Sequence, residues 1–333
     1  MLDLSSLLWI GGILLGFLVL NQGAKFLTDN AAAVARRRGL GRFAVGAVLV
    51  SFLSALPEIL VSTSAMVEGS PQIAIGNALS SSLVALSFVI GLSAILRPIR
   101  STREIVLRDA VFLATFSVVA AALLLDGDLT ATEGFALIVL FIPYTINLLL
   151  AEKSGKKEEL EAAVEEQRIS LEFTGWLFGR KIAVRAGATW LVFGVLWAVL
   201  GAQLIARGAI SLSMNLGLSE WVMGITAVGI GTSLPDIAAA YHATRRGYTD
   251  LALGAGIGAA IATILLDIGV IGLLRPSALP TVTILPMVAA MVGGTFLLLA
   301  LMLGRWRITR ASGAVLMSVY FVAVIVTILL VPG

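Results

Sequence analysis

Two acids stand deep inside apolar stretches: Glu58 within Leu56-Pro57-Glu58-Ile59 and Asp236 within Leu234-Pro235-Asp236-Ile237. A carboxylate in such a setting is expensive and by default marks a functional site. Each acid follows a proline, which lacks an N–H, kinks a helix and frees a carbonyl one turn earlier. Ser51 and Ser54 precede the first proline, and Gly229, Gly231, Thr232 and Ser233 precede the second. Carboxylate, hydroxyl and freed carbonyl are hard oxygen ligands, suited to Na⁺, Ca²⁺ or Mg²⁺. The alternative is a pair of kinked structural helices whose acids pair with Arg, yet no Arg or Lys lies near either acid in sequence. With no Cys, thiolate metal sites and disulfides are excluded.

The elements that must hold these acids are set by composition. Of 333 residues, 59% are hydrophobic and 13% charged, whereas a soluble domain carries about a quarter charged residues to cover its surface. The apolar residues fall in runs of roughly twenty, enough to cross a hydrocarbon core of ~30 Å as helix. The solvent is therefore lipid. The net charge of +3 comes from basic residues between the runs, which reads as a membrane topology signal and not a nucleic-acid surface. The start, Met1-Leu2-Asp3-Leu4, lacks a basic region, so no cleaved signal peptide is expected.

Ten helical spans are expected, near 6–34, 43–67, 72–96, 106–125, 131–151, 183–213, 221–245, 250–274, 281–304 and 310–331, because lipid demands that backbone groups pair within each segment. Arg36, Arg37, Arg38 and Arg42, then Arg97, Arg100 and Arg103, then Arg245 and Arg246, then Arg305, Arg307 and Arg310 occupy alternate loops. By the positive-inside rule those loops are cytoplasmic and both termini lie outside, with Arg275 on an outer loop as the departure. Trp9, Trp176, Trp221 and Trp306, near span ends, read as interface anchors.

A shift of 178 positions lays segment 23–98 on 201–276 without a gap, so that Gly23-Ala24 meets Gly201-Ala202, Gly69 meets Gly247, Ile90-Gly91 meets Ile268-Gly269, and Glu58 meets Asp236. Each copy has five spans, an odd number, so the second enters the membrane upside down. The expected fold is all-α, ten transmembrane helices as two inverted five-helix repeats: 1–151, a hydrophilic cytoplasmic linker 152–182, and 183–333. Inverted repeats of this kind are characteristic of secondary transporters that bind at mid-membrane between the copies. Gly11, Gly12, Gly16 and Gly23 in span one, with Gly187, Gly194, Gly201 and Gly208 in span six, suit close helix contact.

The paired motifs, each followed by a Gly-rich third helix beginning Gly76-Asn77-Ala78-Leu79-Ser80-Ser81 or Gly254-Ala255-Gly256-Ile257-Gly258-Ala259, resemble the two alpha-repeats of the calcium/cation antiporter superfamily, which includes the sodium/calcium exchangers. The family pattern is roughly G-T-S-(L/I)-P-E followed by G-N-x-x-G-S-N-x-x-(N/D). The resemblance implies that Glu58 and Asp236 are the central acids. It implies Ser54, Thr232 and Ser233 as hydroxyl ligands, Ser51 and Gly229 as carbonyl donors, and Ser81 and Asn77 as third-helix ligands. It also implies transported Ca²⁺ and Na⁺ or H⁺ with no cofactor, and spans one and six sliding against a core of two, three, seven and eight.

The departures from that pattern are Leu53, Ala55, Ala85, Ala255, Ala259 and Thr263. Thr263 brings only a hydroxyl where the family has Asn or Asp. Asp267 follows one turn later, on the same helix face after ~6 Å of rise. It reads as a displaced ligand or proton site, against the plainer alternative of an acid near the outer mouth or bonded to a polar neighbour. Two central carboxylates balance one divalent or two monovalent ions, so nearly electroneutral exchange is expected, since an uncompensated charge is costly at low dielectric.

The leading function is thus a secondary antiporter exchanging a cation, first Ca²⁺, for Na⁺, with cation/proton exchange as the alternative. The partners are inorganic cations and lipids, in a plasma or inner membrane. A channel is disfavoured because no filter loop stands out. An intramembrane aspartyl protease needs two Asp residues sharing a proton, and Glu58 with Asp236 is an odd pair for that, so no enzyme is expected.

Overall fold

The computed structural model describes residues 4–37, 55–101, 103–153, 188–274, 277–278 and 281–330. They are almost wholly helical. The first repeat supplies α1 (Leu4–Arg37), α2 (Leu56–Val67), α3 (Pro71–Leu96), α4 (Val106–Leu125) and α5 (Ala131–Lys153). The second supplies α6 (Ala188–Leu216), α7 (Glu220–Arg246), α8 (Ala252–Leu274 in its apolar part), α9 (Thr281–Arg305) and α10 (Arg310–Leu330). Eight of these are long and apolar enough to span a bilayer; α2 and the apolar part of α5, Ala131–Asn147, are shorter. The first half of expected span two and nearly all of the expected linker lie outside the described residues, as do Ser51, Ser54, Gly187 and Trp176.

The chain repeat is a repeat of structure. Gly69 and Gly247, equivalent under the 178-residue shift, both have positive φ, 83° and 99°, which glycine adopts without a Cβ penalty. Both end a helix in the same way: Gly69 and Ser70 N–H groups donate to Met66 and Ala65, and Gly247 and Tyr248 to Thr244 and Ala243, a left-handed cap that satisfies the last carbonyls.

Two short ribbons show the inversion. β1 (Ile99–Arg100) pairs antiparallel with β4 (Arg307–Ile308), and β2 (Asp128–Leu129) with β3 (Ser277–Ala278). One span, α4, separates β1 from β2, so the two ribbons lie on opposite sides of the membrane. β1 corresponds to β3 in the repeat, and β2 to β4. The operation relating the halves therefore exchanges the two sides, and its axis lies in the membrane plane. Ser117 of α4 and Thr295 of α9, also equivalent, hydrogen-bond to each other at 3.2 Å; a residue touching its own equivalent sits on that axis.

α1 and α6 form the most extensive helix pair. A methyl group at Gly23 would lie 2.3 Å from the Ala198 nitrogen, and one at Gly201 would lie 2.3 Å from the Leu20 nitrogen. Leu20 and Ala198 are again equivalents, so the contact is reciprocal. Gly16 and Gly208 also meet the facing helix, whereas Gly11 and Gly12 have nothing within 4 Å. The expected glycine contact thus holds toward the middle of α1 and not at its start. At 34 residues, α1 is ~50 Å long at 1.5 Å per residue, longer than the hydrocarbon core, and its exposed Leu4, Leu7, Leu8, Leu14 and Leu15 face outward.

The fifth helix of each repeat crosses to the third helix of the other. Gly134 of α5 packs on Gly269 and Gly272 of α8, and Gly313 of α10 packs on Gly91 of α3. Consequently α3 and α8 are the most buried spans. One expectation is corrected: Trp221 is 1% exposed, inside the bundle, while Trp9 and Trp306 are exposed. The first turn of α7, capped by Ser219, is tied to the start of α3 by the Ser70 hydroxyl donating to Glu220, which carries the indole inward.

Candidate cation site

Four helices, α2, α3, α7 and α8, bring the site together, and helix irregularities shape three of them. π turns interrupt α3 at Val84–Val89, α7 at Gly224–Val228 and α8 at Thr263–Asp267. Such single π turns leave carbonyls short of their usual partner and recur at functional sites. The Ile225 carbonyl in α7 is met from outside its helix, by Ser80 at 2.8 Å and Tyr320 at 2.7 Å. Pro235 sits inside the continuous helix Gly229–Arg246, whereas Pro57 occupies the first turn of α2, where a missing N–H costs nothing. The two repeats therefore differ at the proline that sequence makes equivalent.

Gly229 presents its carbonyl to three hydroxyls: Ser233 donates at 2.9 Å, and Ser81 and Thr232 lie at 3.3 Å. Ser81 and Thr232 are 3.1 Å apart. Ser80 packs so tightly on Gly229 that a methyl group there would lie 2.4 Å from it. This brings Ser81 of the first repeat onto Gly229, Thr232 and Ser233 of the second.

Asn77 braces the centre. Its amide nitrogen donates to the Glu58 carbonyl at 3.2 Å and to Ser62 Oγ at 2.9 Å, and its oxygen accepts from Thr232 at 3.0 Å. It is 0% exposed. In this conformation every polar group of its side chain is engaged by protein, and it joins α2, α3 and α7.

Glu58 is buried, and its Oε2 has no hydrogen-bond partner. Asn77 ties the Glu58 backbone to Thr232, one turn before Asp236, and to Ser62, which bonds Asp267, so the three acids stand in one region. Asp236 is half-buried. Among the described residues, the ion pairs are Arg108–Asp109 and Arg207–Glu68, and neither reaches this centre. Also among the described residues, no three His, Cys, Asp or Glu side chains are gathered closely enough to hold a metal by themselves. Hydroxyl and carbonyl oxygens would have to complete a coordination shell, which hard cations accept. The ring of Phe17 from α1 lies against Gly231, where a methyl group would come within 1.9 Å, so the α1–α6 pair touches the helix that carries Pro235.

Two residues fall differently from the simplest expectation. Thr263 turns its hydroxyl back to the Ala259 carbonyl of its own helix at 2.9 Å. Asp267 is 0% exposed and accepts from the polar neighbour Ser62 at 3.0 Å. Ser62 was not singled out from sequence. Its signal was present: it lies four residues after Glu58, on the same face of α2.

The comparisons with known proteins agree with this geometry. The family model described as "Sodium/calcium exchanger protein" matches residues 8–150 and 186–329. The sodium/calcium exchanger MaX1 of Methanosarcina acetivorans is 25% identical over 94% of this chain and 97% of its own. The inner membrane protein YrbG of Escherichia coli is 28% identical over 79% of each chain. The solved structure of a sodium/calcium exchanger from Methanococcus jannaschii aligns with a TM-score of 0.61 at 28% identity, covering 96% of this chain and 98% of that one. With both inverted halves matched and paired acids between them, the chain belongs to the sodium/calcium exchanger protein family.

Proposed function

We propose that the protein is a secondary active antiporter that exchanges Ca²⁺ for Na⁺ by alternating access, with the ion held at mid-membrane between the two repeats. Glu58 and Asp236 supply the charge. Ser81, Thr232, Ser233 and the Gly229 carbonyl supply neutral oxygens, and Ser51 and Ser54, outside the described residues, complete the set on the first repeat. Asn77 positions Thr232 and the Glu58 backbone. The carrying observation is a buried carboxylate from one repeat, with an oxygen that has no partner, tied through Asn77 to the turn of the other repeat that precedes its equivalent acid. Such a bare buried carboxylate is costly unless a cation fills it.

The reciprocal α1–α6 pair, in contact with the core through Phe17 and Gly231, suits sliding of those two helices between inward and outward states. By the positive-inside rule the same reading has both termini outside and the 152–182 linker in the cytoplasm of a plasma or inner membrane. Exchange against H⁺ is the second reading, favoured by the loss of an acid at the Thr263 position.

The test is uptake of radiolabelled Ca²⁺ into proteoliposomes, driven in turn by Na⁺ and H⁺ gradients. Na⁺-driven uptake is expected from the wild-type protein, and Glu58→Gln should abolish it. Uptake driven by H⁺ alone would select the second reading. Undiminished exchange in Glu58→Gln would remove the site.

A further inference from the structure

Asp267 and Ser62 lie one turn beyond the central acids, toward the β2–β3 end of the bundle, and belong to neither family motif. Both are 0% exposed. Asp267 Oδ2 accepts from Ser62 Oγ at 3.0 Å, while Oδ1 is buried with no hydrogen-bond partner. A carboxylate oxygen left bare in a dry interior is not tolerated without a compensating positive charge. The groups around it do not supply one among the described residues. α2 brings Glu58, itself an acid. Arg108 and Asp109, at the start of α4, are paired with each other at 2.7 Å. Tyr144 of α5 packs among Phe112, Phe116 and Phe141, and Glu133, in the first turn of α5 beside β2, is bonded to Thr130.

The hydrogen bonds leading to Asp267 form a continuous chain. The Thr232 hydroxyl donates to the Asn77 oxygen, the Asn77 amide to Ser62, and Ser62 to Asp267. Thr232 has the Gly229 carbonyl at 3.3 Å as a second acceptor, and Ser62 has the Ala74 carbonyl at 3.3 Å; Ser81 lies 3.1 Å from Thr232. The shorter of these bonds lead toward Asp267, and the chain links it to the hydroxyls of the central site.

We propose that Asp267 and Ser62 form a second cation subsite that takes one monovalent counter-ion per transport cycle. The proposal rests on the antiport reading and adds one ion to it. A cycle that the two central acids would leave electroneutral then moves net charge. A bound Na⁺ and a bound H⁺ neutralise Asp267 alike, and the coupling ratios separate them.

The experiment uses proteoliposomes of wild type, Asp267→Asn and Ser62→Ala. The Na⁺ gradient that just cancels a fixed Ca²⁺ gradient gives Na⁺ moved per Ca²⁺, and a pH gradient gives H⁺ moved in the same way. In Asp267→Asn one of these two numbers should fall by one, with one less charge moved per cycle; whichever number falls names the ion. Identical coupling and charge in wild type and Asp267→Asn overturn the proposal. If Asp267→Asn does not assemble, Ser62→Ala decides, because it keeps the acid. It should raise the half-saturating concentration of that ion several-fold with coupling unchanged, and an unaltered ion dependence overturns the proposal. A wild-type protein that exchanges nothing would instead strike the antiport reading itself.

Discussion

At the scale of single residues, the centre is held by Asn77 rather than by the acids. Its amide holds a carbonyl of α2, a hydroxyl of α2 and a hydroxyl of α7. Removing one partner of a buried hydrogen bond costs about 1–3 kcal/mol for each group left bare. Asn77→Ala should therefore lower thermal stability in detergent and weaken Ca²⁺ affinity together, whereas Asn77→Gln, with the same groups, should recover part of both. Melting and equilibrium Ca²⁺ binding on the same preparations check this; an Asn77→Ala protein matching wild type in both would deny the brace. Glu58 and Asp236 were legible in sequence because the repeat doubles them and lipid makes each conspicuous. Ser62 was not, because a single serine in an apolar helix commonly bonds its own backbone and nothing in sequence says which helix it faces.

At the scale of elements, what was legible is periodic and what was not is local. Helix positions and their order follow from apolar runs, since lipid leaves the backbone little alternative. The π turns in α3, α7 and α8 leave no such trace, because one extra residue in a uniformly apolar run does not alter its hydrophobicity. The α1–α6 glycines were visible as candidates, but which of them touch depends on where two long helices cross. Gly23 faces backbone at Ala198, which has no soft side chain to give way, while Gly12 faces open space. Overpacking typically costs about 1–3 kcal/mol. Gly23→Val should thus separate the pair and slow exchange while leaving Ca²⁺ binding to the core intact, and Gly12→Val should leave both unchanged. Exchange rate and equilibrium Ca²⁺ binding, measured side by side, check this; a Gly23→Val protein exchanging at the wild-type rate would show that the close contact does not govern the motion.

At the scale of the whole molecule, the ungapped repeat announced two halves of opposite orientation, and the ribbons make that inversion testable without a transport assay. Asp128 pairs with Ala278, and Arg100 with Arg307. Paired strand residues stand within the Cα separation a disulfide accepts. The chain has no Cys of its own, so introduced pairs report without background. Asp128→Cys with Ala278→Cys should cross-link on mild oxidation and react, as single variants, with an impermeant thiol reagent from one side only. Arg100→Cys with Arg307→Cys should cross-link too, but react from the opposite side. The mixed pair Asp128→Cys with Arg307→Cys should never link, since a bilayer separates its members. A link in the mixed pair, or labelling of both ribbons from one side, would break the inverted arrangement. With that arrangement would fall the reason for Glu58 and Asp236 to meet, since the in-plane axis is what brings an acid from each half to the same depth.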